Sequence, residues 1–303
     1  MPSFSLNTEL KQRIKQAVLP SIGRLHIHPP RAIRLPAYDE KYVGVQVWPK
    51  ISVVIPSFNQ GEFIGETLKS LLEEAYPNLE MIVIDGGSND ASVDVIRSFE
   101  SQLSYWISEP DGGQTQAINK GFARSTGQIM AWLNADDRIV PGSLHKIAHY
   151  FTSQPEIDVL YGNRILIDAE GGEIGRWILP RHSSNILKWF DFVPQETLYW
   201  RRSAWEAVGA QLDENFSFAM DWDLLTRFLA KKQKMVHLPL CLGLFRVHPQ
   251  QKTQFQMSSV GCAEIKKIRL RELGFVPRKR WLALRVIPYF WAARFTEIVQ
   301  GRR

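Results

Sequence analysis

The stretch GQIMAWLNADD, Gly127 to Asp137, restricts the chain more than any other. Ile129 to Leu133 run apolar without alternation, the pattern of a strand covered on both faces, as in a parallel sheet. The run stops at Asn134-Ala135-Asp136-Asp137. Open α/β sheets bind ligands beyond the carboxyl ends of their strands. Two adjacent carboxylates repel each other unless a cation joins them, and hard oxygen ligands suit Mg²⁺ or Mn²⁺. Taken alone, Asp-Asp is also a common turn and helix cap. Its surroundings decide.

Those surroundings repeat one pattern. Ile51–Ile55 reads as a strand ending in Pro56-Ser57-Phe58-Asn59, followed by a helix at about 61–75. Met81–Ile84 reads as a second, ending in Asp85-Gly86-Gly87-Ser88-Asn89-Asp90 ahead of a helix near 91–100. Tyr105–Ile107 leads to Glu109-Pro110-Asp111-Gly112-Gly113 and a helix near 114–125. Strands alternating with helices predict a parallel sheet with right-handed crossovers. Polar clusters then fall on one rim: Ser57 and Asn59, Asp85, Asp111, Asp136 and Asp137. Neither G-x-G-x-x-G nor G-x-x-x-x-G-K-[ST] occurs, which removes the main support for hydride transfer or a P-loop.

Beyond about 155 the pattern is mixed. Val159–Asn163 reads as a strand, Ile165–Trp177 as a hairpin, Asp221–Asp223 as the opening of a helix, and Leu240–Val247 as a last strand before His248. The expected division is an N-terminal helix and extended arm over 1–48, a catalytic domain over 49–250, and a basic helical extension over 251–303. On the arm, Leu6, Leu10, Ile14, Ala17 and Val18 recur at helical spacing, and His26 and His28 carry no chemistry.

Charge follows the same division. Residues 266–303 carry eleven Lys and Arg against Glu272 and Glu297, and residues 1–50 are also net basic. The body between them is net acidic, although the whole chain sums to +6. A nucleic-acid groove needs positive charge on the body, whereas basic ends suit an anionic membrane surface. Two cysteines, a polar start after Met1 and no apolar run of about 18 residues predict a soluble cytoplasmic protein with reduced thiols.

In this order and spacing the motifs closely resemble glycosyltransferase family 2, enzymes of the GT-A fold, over about Ile51 to His248. The fold implied is α/β: a Rossmann-like, mostly parallel sheet with flanking helices and a mixed acceptor half. The resemblance implies that Pro56, Ser57, Asn59, Asp85 and Asp111 hold the nucleotide, with Asp85 accepting from the uracil ring. Asn134-Ala135-Asp136 falls on the family's D-x-D motif, with Asn in place of its first Asp, so metal ligation passes to Asp136 and Asp137. His248 matches a late histidine that reaches the metal. Asp221 matches the catalytic base, but Met220 replaces the Glu that usually precedes it, which leaves Asp223 open as the alternative. Arg201 and Arg202 are candidate diphosphate contacts, and Trp222 a candidate acceptor platform.

The implied reaction is inverting transfer of a sugar, from a UDP-sugar, to a hydroxyl of a glycan or lipid-linked acceptor, with Mn²⁺ or Mg²⁺ as cofactor. No Q-x-x-R-W motif is present, so one sugar per encounter is expected. The alternative is a catalytically silent relative that binds nucleotide sugar or glycan, which Asn134 and Met220 favour. Residues 278–294 mix arginines with Trp281, Tyr289, Phe290 and Trp291, a composition suited to the water–lipid interface.

Overall fold

The structure, a computed structural model, describes residues 27–35, 47–249, 251 and 257–299. The expected N-terminal helix and His26 lie outside them. Among the described residues one nine-stranded sheet runs through the molecule, in the order β3-β2-β1-β4-β8-β6-β9-β5, with β7 beside β6. Its first half is the expected repeat. β1 (Ile51–Ser57), α1 (Ile64–Leu72), β2 (Leu79–Asp85), α2 (Ser92–Ser98), β3 (Tyr105–Ser108), α3 (Gln114–Arg124) and β4 (Ile129–Trp132) follow one another. All four strands pair in parallel.

The apolar runs have the predicted cause. Ile51, Val53 and Ile55 enter one core with Ile64, Leu68 and Leu71 of α1, while Val54 enters another with Ala117, Ile118 and Phe122 of α3. β4 is buried at every residue for the same reason. A polar side chain on either face would lose its water without replacement.

The second half is mixed, as expected. β5 (Arg138–Ile139), α4 (Ser143–Ser153), β6 (Val159–Ile167), β7 (Glu173–Trp177), α5 (Ser184–Leu187), β8 (Tyr199–Arg201), α6 (Arg202–Ala207), α7 (Met220–Ala230) and β9 (Met235–Arg246) complete it. β6 and β7 form the expected hairpin. β8 joins the halves, antiparallel to both β4 and β6. β9 starts at Met235, earlier than the expected Leu240, because its first residues pair in parallel with β6 from Val159 onward. After it come α8 (Cys262–Leu273) and α9 (Lys279–Val299), which continues through Pro288.

Candidate active site

Register sets the rim. Ser57 of β1 lies opposite Asp85 of β2, and Asp85 opposite Ser108 of β3. The strands therefore end level, and the polar residues after them share one edge. Asn59 takes a left-handed backbone (φ 52°), a region that Asn enters more readily than most residues. Its backbone N–H donates to Ser88 Oγ at 2.7 Å, and its Oδ1 accepts from Asn89 N at 3.0 Å. The first two loops are thus stitched together. Ser57 Oγ is buried with no hydrogen-bond partner, an orphan hydroxyl at the rim that a ligand group could satisfy.

Asp85 is fully buried. Its carboxylate accepts from Gly87 N, Ser88 N, Ser88 Oγ and Ser108 Oγ, all within 3.2 Å. The residue expected to meet a base ring therefore holds the loop that frames the rim. Asp111 packs against Gly86, where a Cβ would come within 3.1 Å of both its carboxylate oxygens, and it accepts from Gly113 N at 2.7 Å. A side chain at 86 would need the Asp111 carboxylate to give way.

The acidic corner after β4 separates two carboxylates that the sequence placed together. Asp136 keeps a 16% exposed side chain, and its Oδ2 lies 3.0 Å from His248 Nε2. Asp137 turns inward and is 1% exposed, its Oδ1 accepting from Arg246 N and its Oδ2 from Asn134 Nδ2. Burial, then the charges of Asp136 and Glu196, push Asp137 well above the ordinary carboxylate range. The expectation that Asp137 ligates a metal is corrected accordingly: its carboxylate is spent on the fold. Asn134 also acquires a purpose. It donates to Asp137 and accepts from Gln114 Nε2 at 2.8 Å, and an Asp there could make no such donation.

Arg246 rivets this corner. Its side chain is wholly buried and donates to Asp136 O, Ala169 O and Glu66 Oε2, with the guanidinium 4.8 Å from the Phe63 ring centroid. Phe63 also packs on the His248 ring, at 4.6 Å. The late Arg246-Val247-His248 motif thus fixes both the loop and the imidazole behind Asp136. Among the described residues no three His, Cys, Asp or Glu side chains converge. Asp136 with His248 still suits a divalent cation whose other ligands come from a diphosphate, because such ions are commonly held by one or two carboxylates plus substrate phosphates.

The first turn of α7 carries Asp221, whose Oδ1 accepts from Trp222 N at 2.8 Å. A helix N-terminus favours an anionic side chain. Thr115 Oγ1 donates to Phe216 O, and Asn119 exchanges hydrogen bonds with Leu212 on both its polar atoms. Through these contacts α3, which begins just after Asp111, holds the loop leading into α7. Met220, where the family carries Glu, is buried in the core.

Other expected residues lie elsewhere. Asp223 is fully buried between Arg227 Nε at 2.8 Å and Arg271 Nη1 at 2.6 Å, which removes it as the alternative base. Arg201 donates to the carbonyls of Ile157, Phe151 and Gln154, and Arg202 to Gly127 O and Ser125 Oγ. These partners sit at the entry of β4 and of β6, the opposite edge of the sheet from the rim. Both arginines are therefore corrected as diphosphate contacts. Trp222 is 1% exposed and donates to Leu187 O, so it is core and not a sugar platform.

Two residues escaped the sequence reading. Burial, and after it the charge of Asp221, push Asp191 well above the ordinary carboxylate range. An Asp within the aromatic run Trp189-Phe190-Asp191-Phe192 was the available signal. Gln195 donates to Trp132 O at 2.8 Å while its Oε1 is buried without a partner.

Known proteins give this geometry its context. The model of Glycosyl transferase family 2 matches residues 52–209. The O-antigen biosynthesis protein RfbC of Myxococcus xanthus is 29% identical over 68% of this chain and 16% of its own length. An uncharacterized glycosyltransferase of Nostoc sp. is 31% identical over 52% of this chain and 53% of its own. The chain thus spans a small part of one relative and about half of the other. Among solved structures, S. aureus TarS 1–349 with UDP-GlcNAc superposes with a TM-score of 0.59 at 17% identity, covering 84% of this chain and 76% of that one. A Pyrobaculum calidifontis mannosyltransferase in complex with GDP-Man and Mn²⁺ gives 0.58 at 15% identity, covering 87% and 81%. The fold is the expected GT-A.

Proposed function

The chain belongs to glycosyl transferase family 2, and on that footing we propose that it moves a sugar from a nucleoside diphosphate sugar, a UDP-sugar, to an acceptor hydroxyl with inversion. The level rim of Ser57, Asp85 and Ser108 carries this reading, together with Asp136, the carboxylate of the acidic corner left open. Pro56, Ser57, Asn59 and Asp111 border the nucleotide, and Ser57 Oγ is the donor awaiting a partner. Asp136 and His248 would hold Mn²⁺ or Mg²⁺, which when bound neutralises the departing diphosphate.

The chain's own groups supply the acid–base chemistry. Asp221 takes the proton of the acceptor hydroxyl as general base. Burial, and after it the charge of Asp221, raise Asp191 above the ordinary carboxylate range, so the two acids disfavour each other's charge. One base without a second nucleophile gives a single displacement. The acceptor class is a cell-surface glycan or its lipid-linked precursor, a reading supported by the O-antigen role printed for RfbC. We assign the chemistry to 49–250, with 1–48 and 251–303 as appendages, in a cytoplasmic enzyme that touches the membrane through α9.

Purified chain incubated with a panel of nucleotide sugars and glycan acceptors, with Mn²⁺ and then with chelator, tests the reading. Metal-dependent consumption of one donor class is the expected result. Donor binding without turnover across the panel would favour the silent relative.

A further inference from the structure

We propose that α9 seats the enzyme on an anionic membrane surface, with Trp281, Leu284, Pro288 and Trp291 as the inserted face and Arg278, Lys279, Arg280 and Arg285 as its charged border. The inference deepens the membrane contact proposed above and rests on that reading. At 3.6 residues per turn the four apolar residues fall within an arc of roughly 80°. Their exposure is large: Trp281 is 66% exposed, Leu284 70% and Trp291 39%. A shallow, almost wholly apolar groove lined by Arg280, Ala283, Leu284, Ile287 and Pro288 runs beside them. Phe275 and Val276, just ahead of the helix, are exposed as well.

The other side of α9 is already occupied. Val286 is fully buried, Tyr289 stacks on Phe192 at 5.3 Å, Phe290 meets Phe190 at 6.0 Å, and Tyr289 OH donates to Arg181 O at 2.7 Å. The helix is thus fixed to the domain by one face while a second face, of comparable apolar character, meets solvent. An apolar stripe of this kind on a monomer marks a contact site.

Charge selects the occupant. No acidic residue lies between Gly274 and Trp291, and Arg278, Lys279, Arg280 and Arg285 are all exposed. Tryptophan beside arginine is the composition of the water–lipid interface, and clustered cations are drawn to anionic headgroups. A second copy of this chain would bring its own cations against these, an unfavourable pairing. Among the described residues no helix is long and apolar enough to cross a membrane, so the geometry is that of a helix lying in the surface. The segment beneath α9, residues 181–192, also accepts at Leu187 O from Trp222 Nε1, in the turn of α7 that carries Asp221. The same element thus links the membrane face to the acceptor side, where a lipid-linked acceptor would arrive.

The test is co-sedimentation of the full chain with vesicles of phosphatidylcholine alone or mixed equally with phosphatidylglycerol, at low and high salt. Wild type should bind the mixed vesicles, and high salt should weaken binding by about tenfold or more, as screening shortens the reach of each cation. Trp281→Glu with Leu284→Glu, and separately Arg278→Ala with Lys279→Ala and Arg280→Ala, should each lower binding by about tenfold. All these side chains are exposed, so the thermal midpoint should hold. Several results would overturn the proposal: no vesicle binding, equal binding to neutral vesicles, variants that partition like wild type, or self-association without vesicles that Trp281→Glu abolishes. Donor consumption measured without vesicles separates the readings. Lost vesicle binding with donor consumption intact strikes the membrane face alone; the converse strikes the transferase reading alone.

Discussion

The two halves of the sheet hold several of their acids by different means. In the first half, backbone amides and hydroxyls hold three of them, although Glu66 reaches across to Arg246. Asp85 is held by Gly87 N and Ser88 N, Asp90 by Gly61 N and Ser92 N, and Glu74 by Gly142 N and Leu144 N. In the second half, arginines hold three, although Glu264 takes the amides of Ser217, Phe218 and Ala219. Glu196 sits in a two-pronged pair with Arg164, Asp223 lies between Arg227 and Arg271, and Glu173 lies between Arg31 and Arg176. An amide-held carboxylate has no cation in contact, and burial pushes Glu74 up to about 7. Arginine-held carboxylates are neutralised in place and have nothing left for a ligand. An acid held by arginines therefore belongs to the scaffold.

Breaking an arginine pair should give the largest effect on stability. Arg164→Ala leaves Glu196, 1% exposed, without its counter-charge, and should cost about 3–5 kcal/mol by chemical denaturation. A loss below about 1 kcal/mol would erase the contrast between the halves.

Glu74 tests the amide-held kind. Burial, against the hydrogen bonds from Leu144 and Gly142, pushes it up from 4.5 to about 7. A carboxyl whose folded pKa lies above its unfolded value contributes stability that is complete below the unfolded pKa. That contribution is lost as pH rises through the folded value. Wild type should therefore lose stability relative to Glu74→Gln between about pH 4.5 and 7, by up to about 3 kcal/mol. Parallel pH profiles for the two proteins would contradict this.

Asp136→Asn should weaken nucleoside diphosphate binding in Mn²⁺ by about tenfold or more, near 1.4 kcal/mol. Binding in EDTA and the thermal midpoint should stay put. Equal affinity in Mn²⁺, read by titration calorimetry, would remove Asp136 as a ligand. The smallest effect belongs to Arg202→Lys on the far edge of the sheet. It should leave nucleotide affinity unchanged and cost about 1 kcal/mol of stability through its bonds to Gly127 O and Ser125 Oγ.

The first half was legible because its strands are buried on both faces and so read as apolar runs, each closed by a polar turn. β5 and β8 were not, being two and three residues long and positioned by their partners in β9, β4 and β6. The site divided in the same way. Asp136 and the strand-end residues follow from where β1, β2 and β4 stop. Whether an arginine, tryptophan or aspartate in the second half faces a ligand depends on which edge and face it occupies, and antiparallel pairing conceals that from local pattern. Arg201, Trp222 and Asp223 carried the right chemistry in the wrong place. Asp137 shows the limit within the first half: one residue past Asp136, its side chain turns from the rim to the core.

Asp221 and Asp223 bring the contrast down to two positions on one helix. The direct test is donor turnover and thermal midpoint for Asp221→Asn and Asp223→Asn side by side. Asp221→Asn should lose roughly 10²–10⁴ in turnover at an unchanged midpoint. Asp223→Asn, which breaks the buried contacts to Arg227 and Arg271, should lower the midpoint while the folded protein still turns over. Turnover abolished in folded Asp223→Asn and retained in Asp221→Asn would contradict the assignment of the base.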